Sequence, residues 1–156
     1  MLKYVGYDIV FREIPDETTL AINLSLCPNH CEGCHSPYLW DDRGSELTEK
    51  SLDDMISGFV GEVTCICFMG GDNDPVAVAS LAKHVREHFR GQFLTAWYSG
   101  KPHFPGNLDP TVFNFVKLGP YIPRFGPLDK PTTNQRLYRI LPDGKREDIT
   151  ARFLQK

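Results

Sequence analysis

Hydrophobic positions along the chain switch between the strand period and the helix period, and the switching lays out the elements. Over residues 18–26, Leu20, Ile22, Leu24 and Leu26 alternate with Ala21, Asn23 and Ser25, which predicts a half-buried strand. Leu52, Met55, Ile56 and Phe59 then fall at i, i+3, i+4 and i+7, the stripe of an amphipathic helix. Thr48 is placed to cap its start, and Gly58 or Gly61 lies near its end. Residues 63–69 (Val-Thr-Cys-Ile-Cys-Phe-Met) form a short apolar run suited to a central parallel strand. That run ends at Gly70-Gly71-Asp72-Asn73-Asp74-Pro75, where Asp74 as N-cap and Pro75 at the first helical position open a second helix. Its apolar stripe is Val78, Leu81, Ala82, Val85 and Phe89, and Gly91 closes it.

A third strand over residues 93–98 ends in Ser99-Gly100, and residues 112–118 read as a further strand. Residues 119–133 carry Pro120, Pro123, Pro127 and Pro131, which predicts a long ordered loop. Residues 136–141 and a short return strand, joined at Pro142-Asp143-Gly144-Lys145, predict a C-terminal hairpin. Repeated strand–loop–helix units point to the α/β class with a mainly parallel sheet. A closed eight-stranded barrel takes about 250 residues. The 156 residues here therefore predict an open, partial β/α barrel forming one domain over residues 1–156.

Composition narrows the function classes. The 17 basic and 20 acidic residues are spread along the chain for a net charge of −3, with no basic stripe, so no nucleic-acid partner is expected. No apolar stretch approaches bilayer length, and Met1-Leu2-Lys3-Tyr4-Val5-Gly6-Tyr7-Asp8 has no apolar signal region, so no membrane role is expected. Five cysteines, three clustered and two within an apolar run, suit a reducing cytoplasm better than a disulfide framework.

The clustered three are Cys27-Pro-Asn-His-Cys31-Glu-Gly-Cys34. Thiolates at that spacing converge on one centre, and three of them leave a four-coordinate metal or a 4Fe-4S cluster one ligand short. Zinc completed by His30 or His35, and an iron–sulfur cluster with an open iron, fit the loop equally. A structural zinc site usually adds a second, distant cysteine couple in a loop, and none is present. Cys65 and Cys67 lie on one face of the apolar run and read as core. Gly70-Gly71-Asp72 stands at a strand's C-terminal end, where parallel sheets bind ligands. Its glycines let a ligand approach the backbone, and Asp72 offers an acceptor for an ammonium group. Trp97-Tyr98-Ser99-Gly100 ends the next strand and is expected at the same rim. His84, His88 and His103 lack ligand spacing to an acidic partner, Trp40 reads as a packing anchor, and residues 121–127 read as a plain ordered loop rather than a docking loop.

The cysteine loop, with His35-Ser36-Pro37-Tyr38-Leu39-Trp40 after it, resembles the cluster loop of radical S-adenosylmethionine (SAM) enzymes, most of all the glycyl-radical activating enzymes. The short length, Gly70-Gly71-Asp72, Trp97-Tyr98-Ser99-Gly100 and Thr133-Asn134-Gln135-Arg136 are similar to the group that activates anaerobic (class III) ribonucleotide reductase. The resemblance runs over about residues 7–140. It implies that Cys27, Cys31 and Cys34 ligate three irons of a 4Fe-4S cluster, with the amino and carboxylate groups of SAM on the fourth. It further implies that Gly70, Gly71 and Asp72 hold the methionyl ammonium, that Ser99 faces the ribose or carboxylate, and that His35 packs beside the cluster or adenine or is a surface imidazole. One electron, from a donor such as flavodoxin or ferredoxin, would cleave SAM to methionine and a 5′-deoxyadenosyl radical. That radical would take hydrogen from a glycine of the glycyl-radical subunit of anaerobic ribonucleoside-triphosphate reductase.

Three stretches depart from the pattern. Phe11-Arg12-Glu13-Ile14-Pro15 replaces a Gly-Pro-Gly stretch, Ser25-Leu26-Cys27 replaces Ser-Gly-Cys, and Lys117-Leu118-Gly119-Pro120-Tyr121 stands where an acidic residue is usual. Lys117 reads as a solvated charge, with a pairing to the SAM carboxylate as the other option. The alternatives are activation of a different glycyl-radical protein, chemistry on a small molecule, and a non-catalytic zinc-binding interaction module.

Overall fold

The chain's most apolar runs lie at the centre of one sheet. The computed structural model describes residues 2–25 and 44–154. Its strands are β1 (Lys3–Val10), β2 (Thr19–Leu24), β3 (Ser45–Glu46), β4 (Cys65–Met69), β5 (Leu94–Tyr98), β6 (Phe115–Leu118), β7 (Arg136–Ile140) and β8 (Arg146–Asp148). They form one sheet in the order β3-β1-β2-β4-β5-β6-β7-β8. β2, β4, β5 and β6 run parallel to one another. The outer pairings, β1 with β2 and β3, and β7 with β6 and β8, are antiparallel.

This corrects the expectation of a partial β/α barrel with a mainly parallel sheet. Four of the seven strand pairings are antiparallel, and the described residues hold two α-helices, α1 (Glu49–Ser57) and α2 (Pro75–His88). Two physical causes account for the difference. β1, which the pattern did not reveal, folds back on β2 through a turn where Asp16 takes φ 68°. After β6 the proline-rich segment supplies no crossover helix, and β7 returns antiparallel beside β6.

The helix ends follow their capping chemistry. Ser51 N–H donates to Thr48 Oγ1 at 3.1 Å and Thr48 N–H donates to Ser51 Oγ at 2.8 Å, closing a capping box on α1. On α2, Ala77 N–H donates to Asp74 Oδ1 at 3.3 Å and Pro75 opens the first turn. Leu52, Met55 and Ile56 of α1 and Val78, Leu81, Ala82 and Val85 of α2 bury onto one face of the sheet, against Leu20, Ile22, Leu24, Ile66, Phe68 and Trp97. Arg86 crosses from α2 to donate to Thr95 Oγ1 at 3.2 Å and Asn114 Oδ1 at 2.7 Å, tying the helix to β5 and to the start of β6.

Among the described residues, the opposite face is covered more thinly. It buries Cys65, Cys67, Ala96 and Leu137 with Ile14, and Phe153 of the C-terminal 3-10 helix (Thr150–Leu154) packs at the margin. No helix among the described residues is long and apolar enough to cross a membrane.

Cys65 and Cys67 are core residues, as their alternation implied: both are fully buried free thiols. Burial pushes the Cys65 thiol up to about 12 and the Cys67 thiol well above its ordinary value, so both stay protonated and inert at neutral pH. Iodoacetamide applied to the folded protein at pH 8 is expected to leave both unmodified and to label both after unfolding, read by peptide mass spectrometry. Labelling in the folded state at the unfolded rate would contradict their burial.

Candidate cofactor site

Parallel pairing brings the C-terminal ends of the central strands to one rim. Asn23 pairs in register with Met69, Met69 with Tyr98, and Tyr98 with Lys117. Met69, Tyr98 and Lys117, with Gln135, line a cavity of about 870 Å³ on the sheet face away from the helices. Arg12, Glu13, Leu128, Asp129, Phe153 and Leu154 line it too. Pro127 also lines it, so the proline-rich segment between β6 and β7 forms part of the cavity wall.

Just past that row, the chain turns at Gly70-Gly71-Asp72. Gly70 and Gly71 have φ of 104° and 87°, a region that favours glycine. A Cβ on Gly71 would stand 2.6 Å from Val78 Cγ2 and 2.9 Å from Leu24 Cδ1, and one on Gly70 would stand 3.4 Å from the Leu24 carbonyl oxygen. The glycine turn thus lies directly against the end of β2, the strand that leads towards the cysteines. Gly70 N–H donates to the Tyr98 carbonyl at 2.9 Å, and the fully buried Trp97 indole donates to the Gly70 carbonyl at 2.7 Å.

Asp72 and Ser99 meet at this rim. Ser99 Oγ donates to Asp72 Oδ1 at 2.6 Å and Gly100 N–H donates to Asp72 Oδ2 at 2.8 Å. Ser99 is fully buried, and its hydroxyl also accepts from Lys101 N–H at 3.1 Å. Asp72 therefore joins the loops after β4 and β5, and Ser99 positions it. Trp97 belongs to the helix-side core, stacked on Phe113 at 5.6 Å between centroids, so Tyr98 is the aromatic of this segment that reaches the cavity.

Lys117 is not the solvated charge expected. It is 8 % exposed, its ammonium donates to the Gly119 carbonyl at 3.1 Å, and it lies 5.4 Å from the centroid of the Tyr98 ring. The Tyr98 hydroxyl donates to the Glu13 carbonyl, and desolvation pushes the phenol well above its ordinary range, so it stays neutral. Asn134 donates to the Pro120 carbonyl at 3.0 Å and Gln135 to the Gly119 carbonyl at 3.4 Å, so this pair shapes the exit from β6.

Cys27, Cys31, Cys34, His35 and Trp40 lie outside the described residues. Both flanks of their segment are anchored to β1. Ser25 N–H donates to the Lys3 carbonyl at 2.9 Å, Ser45 pairs with Tyr4, and Leu47 N–H donates to the Leu2 carbonyl at 2.8 Å. A Cβ at Gly44 would lie 2.0 Å from the Tyr4 carbonyl oxygen, so the returning chain needs a glycine there. Sequence reasoning missed this clamp because β1 shows no clean alternation. It also missed an acidic partner for His84 and His88: Asp53 lies 2.9 Å from His84 Nε2 and 3.7 Å from His88 Nε2. The matched four-residue spacings of Glu49 with Asp53 and of His84 with His88 were the available signal. His103 is exposed.

Three thiols in one short segment, entered from a strand end beside a glycine turn, suit a metal or iron–sulfur centre, and the family match decides for the iron–sulfur class. Residues 18–102, more than half of the chain, match the family described as 4Fe-4S single cluster domain, and the chain belongs to that family. No curated protein and no solved structure is significantly similar to it. The donor set fits the cofactor: thiolates are the ligands of such clusters, and the matched span contains Cys27, Cys31 and Cys34.

Gly71→Ala is expected to destabilise the protein by about 2–5 kcal/mol, from left-handed backbone strain plus overpacking against Val78 and Leu24. Urea unfolding measures it. An unchanged midpoint would mean that the turn tolerates a side chain.

Proposed function

We propose that the protein is a radical SAM activating enzyme that generates a glycyl radical on anaerobic ribonucleoside-triphosphate reductase. The supporting observation is the close packing of the glycine turn after β4 against the end of β2, which sets that turn beside the entry to a three-thiol segment. Cys27, Cys31 and Cys34 hold three irons and leave the fourth for the amino and carboxylate groups of SAM. The cluster, when bound, supplies the electron that cleaves SAM reductively to methionine and a 5′-deoxyadenosyl radical.

The chain's own residues bind, orient and exclude water. The Gly70-Gly71 turn presents backbone groups at the rim to the methionyl group, and the Asp72 carboxylate lends negative charge beside the ammonium. Met69 and the neutral Tyr98 ring offer apolar surface to the adenosine, and Lys117 opposes the substrate carboxylate. Proline-rich residues 119–133 and the C-terminal 3-10 helix shield the site from water, which protects a radical from quenching. A cavity of about 870 Å³ is at the upper end of small-molecule pockets and leaves room for a glycine-bearing segment of the reductase. An electron donor of the flavodoxin or ferredoxin kind completes the system.

Anaerobically purified protein is expected to be brown, with about four iron and four sulfide per chain. With dithionite and SAM it is expected to release 5′-deoxyadenosine. Cys34→Ala should abolish that release, and Cys65→Ala should retain it. A full cluster without deoxyadenosine would remove the SAM reading, and colourless protein with one zinc would remove the cluster itself.

A further inference from the structure

One side-chain cluster away from the cavity has no part in the proposed reaction. Glu49 and Asp53 are four residues apart on α1, and His84 and His88 are four apart on α2, so each pair shares a helix face. His84 Nε2 lies 2.9 Å and 3.1 Å from the two Asp53 oxygens, and His88 Nε2 lies 3.7 Å from Asp53 Oδ2. Ligand atoms of Asp53, His84 and His88 all fall within 4.8 Å of one another. The two imidazoles stack with centroids 5.2 Å apart and planes 21° from parallel. Behind them, Glu49 Oε2 lies 3.6 Å from His84 Nδ1. A carboxylate hydrogen-bonded at the far nitrogen is the usual way to fix the tautomer of a metal-binding imidazole, and Glu49 stands at ion-pair distance from that position.

We propose that Asp53, His84 and His88 form a site for a divalent transition-metal ion of the zinc class, bridging α1 and α2 and separate from the cluster. Two imidazoles and one carboxylate suit zinc, nickel or copper, whereas magnesium and calcium call for oxygen ligands throughout. Ligands at about 2.0–2.1 Å around a tetrahedral ion stand about 3.3 Å apart. The 2.9 Å and 3.7 Å separations bracket that value, so small rotations of the imidazoles admit the ion. His84 and Asp53 are 18 % and 21 % exposed and are held in place, while His88, at 51 %, closes the site from the solvent side and leaves a position for water. A plain hydrogen bond between the helices would need neither His88 nor Glu49.

The test uses cluster-loaded protein under anaerobic conditions, so that the cluster thiolates are occupied, and titrates it with zinc chloride by calorimetry. One equivalent is expected to bind, with Tm rising by about 8 °C at a hundredfold excess over Kd. His88→Ala and Asp53→Asn should each weaken binding at least tenfold, and Glu49→Gln should weaken it less. His88→Ala removes a half-exposed side chain, and its Tm without zinc verifies the fold, so that variant decides alone if Asp53→Asn does not fold. Absence of stoichiometric binding, or the same affinity in wild type and His88→Ala, would overturn the proposal.

Discussion

The functional rim depends on the Asp72 carboxylate accepting two hydrogen bonds across the boundary between β4 and β5. Ser99 Oγ reaches one oxygen at 2.6 Å and Gly100 N–H the other at 2.8 Å, with Asp72 only 9 % exposed. Bonds to a charged acceptor are worth about 1.5–3 kcal/mol each, and removing the acceptor strands both donors in a buried place. Trp97 adds a third tie by donating to the Gly70 carbonyl, and Gly70 N–H a fourth by donating to Tyr98. These bonds hold the glycine turn in its left-handed conformation against Leu24. Position then passes through β2 to Ser25, the last described residue before the cysteines, and β1 holds that residue through Lys3.

The two faces of the sheet divide the labour. Helices α1 and α2 bury the aliphatic face with the capped, striped geometry their sequences imply. Among the described residues the other face has a light cover, and the row of Met69, Tyr98 and Lys117 lines a cavity there. The same division sorts the cysteines. Cys65 and Cys67 lie on the face opposite the helices, fully buried and protonated, which leaves the three loop thiols as the ligands that the proposed function uses.

Much of this was legible in the sequence wherever one residue's chemistry decided the local structure. Thr48, Asp74 and Pro75 announced the helix starts, and the alternation through Leu20, Ile22 and Leu24 announced β2. Strand direction was not legible, because period-two alternation is the same in parallel and antiparallel strands. The partial-barrel expectation failed on that point, and on β1, whose residues are nearly all half-buried and so show no pattern. Lys117 was misread because nothing local marks a lysine as buried; its shelter comes from Tyr98 and Gly119. The pairing of Asp53 with His84 spans two helices, beyond the reach of any local pattern.

On the proposed function, SAM binds the cluster's fourth iron beside the Gly70-Gly71-Asp72 turn. The most direct test of that binding is electron–nuclear double resonance on the reduced, cluster-loaded protein with SAM isotope-labelled in its amino nitrogen and carboxylate oxygens. Hyperfine coupling from both labels is the expected result, since direct ligation brings those atoms into contact with the paramagnetic cluster. Spectra unchanged by labelled SAM at saturating concentration would contradict it.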